Sequence, residues 1–230
     1  MLNILMSMAK EGSSDATQFV SPSKASRDTL INVVYRLHRT RWRILDPYRK
    51  LKNSLKQLQE DYLKSKEANA LMRYVKLGQS VREVAMLEKQ HWKFVNIPPQ
   101  DVSETPHVYV MRIIELLEDT PTNLPTTGIG ALLQSTMGKA SESNVDHALF
   151  DSIKARKYDD LVKDCEFMYT TLFKLIKKYQ GLKKLIKDLH DKYDATRMFP
   201  IVPRYGMLKA MIKTTLRAPE FAEICHEQTE

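Results

Sequence analysis

The residues with the most chemical potential in this chain lie in the run Tyr35-Arg36-Leu37-His38-Arg39-Thr40-Arg41-Trp42-Arg43. Guanidinium groups grip phosphate and carboxylate oxygens through paired hydrogen bonds, and an indole offers a face on which a base or a cation stacks. Arginines interleaved with aromatic rings therefore suit phosphate or base recognition, or an acidic groove on another protein. Phased on the apolar spacing that begins at Leu30, Tyr35, Trp42, Arg49 and Lys56 occupy heptad position b. Arg36, Arg43 and Lys50 occupy c, and Arg39 occupies f. These positions point away from an apolar seam. The plainer alternative is that another helix covers Trp42 and the arginines form a salt-bridged rim. A second basic set comprises Lys174, Lys177, Lys178, Lys183, Lys184 and Lys187, with no acid until Asp188. Such a set either solubilises a helix or meets an anionic membrane or acidic polymer.

Motifs for catalysis or cofactor binding fail on spacing. A phosphate loop needs G-x-x-x-x-G-K-[ST]; Gly138-Lys139 has Leu133 in place of the first glycine and Ala140 in place of the hydroxyl residue. Gly128-Ile129-Gly130 lacks the third glycine and the preceding strand of a dinucleotide site. The histidines are scattered. His190 and Asp194 are one helical turn apart, but two ligands do not make a metal site. Cys225-His226 lacks a zinc spacing, and Cys165 falls on an apolar seam as a small core residue. Adjacent acids such as Asp159-Asp160 suit a helix N-terminus. The expectation is a protein without catalytic residues, cofactor, metal or small-molecule substrate.

The elements that must position these residues are helices. Apolar residues alternate four and three apart over Leu161, Cys165, Met168, Leu172, Leu175, Tyr179, Leu182, Ile186, Leu189 and Tyr193. The same spacing runs through Leu30, Val34, Leu37, Arg41, Ile44, Tyr48, Leu51, Leu55, Leu58 and Tyr62, with Arg41 the charged exception. That period keeps one face of a helix apolar. Val162, Tyr169 and Ile176 at e positions, with Ile31 and Leu45 in the first seam, make the stripe wider than a coiled-coil seam. The wider stripe favours an intramolecular bundle over a coiled-coil dimer. Gly181 inside the second seam costs about 1 kcal/mol against alanine, which implies a close helix crossing or a kink.

The predicted fold is all-α: an elongated helical bundle with two or three long amphipathic helices and a short C-terminal helix. Residues 1–24 read as a flexible tail, in which Ser21-Pro22-Ser23-Lys24 matches a proline-directed kinase pattern that is most simply accidental. Residues 25–218 read as one bundle domain, and 219–230 as a C-terminal tail. The first helix begins near Ser26 and Asp28 and kinks or restarts at Asp46-Pro47. The seam lapses near Ser65–Asn69 and resumes at Leu71 through Leu87. Residues 96–143 are a proline-rich excursion with one helix, capped by Thr105, opened by Pro106 and buried through Val110, Ile113, Ile114 and Leu117. A helix from Val145 runs into the second seam, Met198 to Gly206 is a connector, and a final helix ends at Ala218-Pro219.

Charge is unevenly spread. Residues 25–66 hold eleven Lys/Arg against four Asp/Glu, a local +7, whereas 96–143 hold two against six, a local −4. With two cysteines, no secretory leader pattern and no apolar run near the ~18 residues of a membrane span, a cytoplasmic protein is expected, cytoskeletal and nuclear settings being variants. The expected function is a scaffold or adaptor that binds proteins with acidic surfaces, filaments among them. The alternatives are anionic-membrane binding of the kind BAR domains exemplify and nucleic-acid binding by the Arg/Trp face.

Overall fold

A computed structural model describes residues 22–89, 94–119 and 147–226. These residues form helices and no strand occurs among them, so the fold is all-α. We label the helices α1 (Arg27–Ser65), α2 (Ala70–Ala85), α3 (Pro106–Asp119), α4 (147–154), α5 (Tyr158–Ala195), α6 (Ile201–Arg217) and α7 (Pro219–His226). Ser21 of the kinase-like motif, residues 120–146 and the tail before Pro22 lie outside the described residues.

Local signals account for most boundaries. The Ser26 hydroxyl accepts the Thr29 amide at 3.2 Å, so α1 starts at a capped residue. It then runs 39 residues through Pro47 without ending. The restart considered for Asp46-Pro47 does not occur, because the buried seam on either side of the proline holds one phase. Asn69 caps α2, its side-chain oxygen accepting the Met72 amide at 2.9 Å. Arg73 ties that turn together by donating to the carbonyls of Ser65, Lys66 and Ala68. Thr105 caps α3, with Pro106 in the first position as expected.

Three expectations are corrected. The helix expected to run from Val145 into the second seam breaks at 155–157, and α5 begins at Tyr158. Arg27 donates to the carbonyls of Lys154 at 2.6 Å and Arg156 at 3.1 Å, satisfying groups that a continuous helix would have used itself. The connector expected over Met198 to Gly206 is shorter: α6 starts at Ile201 and absorbs Pro203 in its first turn, where a missing amide costs nothing. The tail expected after residue 218 is helical as far as His226, with Phe221 and Ile224 buried.

The chain divides into two compact units. In the first (described residues 22–40, 99–119 and 147–173), the α3 residues Tyr109, Val110, Ile113, Ile114 and Leu117 are buried. Tyr109 meets Phe173 edge-on at 6.2 Å, and His107 meets Tyr169 at 5.1 Å. Tyr158 donates to the carbonyls of Ser23 and Ala25, fixing the approach to α1. In the second (41–89, 94–98 and 174–226), the extended segment 94–98 is held to α5: Tyr179 donates to the Val95 carbonyl at 2.9 Å and Gln180 to that of Pro98 at 2.9 Å. Leu51, Leu87, Phe94 and Ile186 line one small cavity. There α6 packs on α2, with Tyr74 against Tyr205 at 6.5 Å and Gly78 beside Leu208.

The seams behave as cores. All ten residues of the α5 seam are buried, together with Tyr169 and Ile176 of its widened edge. In α1 the seam is buried except at Arg41 and Tyr62. Gly181 sits where α7 comes close: a Cβ there would lie 3.0 Å from Cγ of Glu220, the close crossing its position implied.

Candidate partner-binding faces

The Arg/Trp run does not act as one surface. In the first unit, Arg36 is committed internally. Its guanidinium makes a forked pair with Glu118, with contacts of 2.6, 2.8 and 3.1 Å, and only 27% of the side chain is exposed. The hydrogen bonds to Glu118 raise its pKa above the ordinary arginine value against the opposing effect of burial. Tyr35 packs edge-on against Phe150 at 5.4 Å. Both residues were candidates for partner contact, and the structure uses them to hold α1 to α3 and α4. Arg39 is exposed in the same unit.

In the second unit Trp42 is 59% exposed. Among the described residues no helix covers it. On the same helix Arg43 is half-buried, while Arg49 and Lys50 are exposed; Lys50 pairs with Asp46 at 2.7 Å. Ion pairs of this kind between exposed groups one helical turn apart contribute little to stability and leave the cation accessible.

The lysine face is partly compensated. Lys174, Lys177, Lys184 and Lys187 are exposed and Lys178 and Lys183 are half-buried. Lys177 and Lys178 line a cleft with Glu220 and Glu223 of α7, so two of its cations face carboxylates of the same chain. The helix that supplies those acids lies where a tail was expected.

His190 and Asp194 meet, with Nε2 3.3 Å from the carboxylate. Arg197 approaches the same carboxylate to 3.3 Å and Lys89 to 3.9 Å. Two cations around Asp194 make a poor environment for a metal ion. Among the described residues no group of three or more His, Cys, Asp or Glu is arranged to hold a metal. Burial pushes the Cys165 thiol up to about 12, with Glu166 adding to the shift, which makes it an inert core group.

Sequence reasoning missed a surface. Leu71, expected to resume the seam, is exposed, as are Met72 and Val75. Met198, Phe199, Pro200, Ile201, Val202 and Pro203 are six consecutive exposed apolar residues. The hint in the sequence is one of charge and does not reveal the exposure: residues 195–219 contain Arg197, Arg204, Lys209, Lys213 and Arg217 and no acid.

No protein-family model, curated protein or solved structure matches the chain.

Proposed function

We propose that this protein is a non-catalytic helical scaffold or adaptor that binds an acidic protein surface through the outward face of α1, within a larger assembly such as one built on an acidic filament. The observation that supports this reading is the open indole of Trp42, with Arg49 and Lys50 solvated on the same helix. Tryptophan and arginine dominate binding energy at protein interfaces, where an aromatic anchor is ringed by charge. The elongated bundle with two or three long helices, and a cytoplasmic setting, belong to the same proposal; small-angle scattering tests the former.

The decisive experiment is cross-linking and affinity capture with the full chain beside Trp42→Ala and Arg49→Glu. The expected result is a partner whose cross-links map to α1 and to an acidic surface, lost in both variants while the melting midpoint holds within a few degrees. A partner set identical in all three proteins overturns the reading. Nucleic-acid binding that weakens steeply with salt and with both substitutions would replace it by the RNA alternative. A membrane role for the lysine face is less well supported, because Glu220 and Glu223 already face Lys177 and Lys178.

A further inference from the structure

The exposed apolar residues of the second unit gather at one end of a helix pair. Tyr74 of α2 meets Tyr205 of α6, and one turn onward Gly78 meets Leu208. Residue numbers increase together along this contact, so α2 and α6 run in the same direction and their N-terminal ends lie side by side. Leu71, Met72 and Val75 stand exposed at that end of α2, and the Met198–Pro203 run stands exposed at that end of α6. Met198 is 92% exposed and Val202 83%. Scattered surface apolar residues need no explanation, but an unbroken run joined by a second helix end does.

The surroundings indicate what would cover it. Arg197 and Arg204 bracket the run directly; Arg197 approaches Asp194 at 3.3 Å but stays about half exposed, and the next acid in the chain is Glu220. Arg204 stacks over the Tyr193 ring at 5.8 Å and makes no ion pair among the described residues. On the α2 side, Arg73 is held by backbone carbonyls and Lys64 pairs with Glu60 at 3.6 Å, which leaves the exposed Lys66 and Lys76 against Glu67. An apolar tip with a cationic collar matches the interfacial layer of a bilayer: apolar side chains enter the boundary between headgroups and acyl chains, and cations meet lipid phosphates. No helix of the described residues is long and apolar enough to cross a membrane, so the contact is a shallow one.

We propose that Met198–Pro203, with Leu71, Met72 and Val75, docks this protein onto an anionic membrane surface by shallow insertion. The assignment does not rest on the scaffold reading, which concerns α1, and either can fail alone.

The test is sedimentation of the full chain with phosphatidylcholine vesicles, with and without about 30% phosphatidylserine, across a salt series. The expected result is binding to the anionic vesicles only, weakening with salt, and falling by about tenfold or more in Phe199→Asp/Val202→Asp. Because both side chains are exposed, the variant should melt with the wild type; Met198→Ser/Val202→Ser is the milder pair if it does not. Lys174→Glu/Lys184→Glu, on the separate lysine face, should leave most of the binding in place. Absence of binding to anionic vesicles overturns the proposal. So does binding that survives both tip variants, or that is abolished by Lys174→Glu/Lys184→Glu alone. Concentration-dependent self-association broken by the tip variants, without vesicle binding, would assign the patch to a second copy and equally overturn it.

Discussion

α1 and α5 are nearly equal in length, 39 and 38 residues, and carry the same apolar spacing, yet they use it differently. In α5 every seam position is buried and the stripe is widened by Tyr169 and Ile176. In α1 the stripe is interrupted by Arg41, and Trp42 beside it is open to solvent. A shared period sets the direction of the side chains, while their covering depends on what lies opposite. The α5 seam is core along its whole length, whereas the α1 seam is only half-buried at Arg41 and Tyr62; outside their seams both helices carry an exposed aromatic ring, Trp42 in α1 and Phe167 in α5.

The largest effect should come from cutting into the uninterrupted seam. Leu172 is fully buried, so Leu172→Ala is expected to lower stability by about 2–5 kcal/mol in urea unfolding. A loss below about 1 kcal/mol would mean that the α5 seam is not a packed core. Next is the crossing at Gly181. Gly181→Leu must displace Glu220 and α7 and should cost about 1–3 kcal/mol. An unchanged melting temperature would show that α7 does not hold there.

The α5 seam should also give stability a pH dependence. Burial raises the Cys165 thiol from the ordinary 9.0 to about 12 and raises Tyr169 and Tyr179 above the usual phenol value. The folded state holds these protons more tightly than the unfolded chain. Their contribution is therefore complete below about pH 9 and is lost as pH rises toward and beyond 12. Urea midpoints at pH 10.5 should fall below those at pH 7.5, and by less in Cys165→Ala. The half-exposed Cys225 should react with a thiol reagent well before Cys165. Equal rates would contradict the burial of the seam. The smallest effect belongs to the interruption in α1. Arg41→Leu extends the apolar stripe at a half-buried site and should raise stability by roughly 0.5–1 kcal/mol. A loss instead would mean that the guanidinium is held in place.

The candidate surfaces were legible in unequal measure. Trp42 was placed on an outward face by heptad phase alone, since a helix fixes the direction of every side chain once its seam is known. Arg36 and Tyr35 share that phase, but what they touch depends on where α3 and α4 lie, and phase says nothing about neighbours 82 and 115 residues along the chain. The exposed run from Met198 was hidden because apolar residues beside two prolines read equally well as a packed connector.

Most helices, their apolar faces and several of their ends were readable from the order of residues. These depend on local chemistry: the Ser26 and Thr105 caps, Pro106 in a first turn, and a four-and-three period. Tertiary structure alone decided the rest. The break at 155–157 contains no proline or glycine, and the carbonyls of Lys154 before it and Arg156 within it are taken up by Arg27 from far along the chain. The division into two units, the helical end beyond residue 218 and the choice of which apolar residues remain outside were likewise settled by packing. Burial is a property of what lies opposite a side chain, and the residues opposite are distant in sequence.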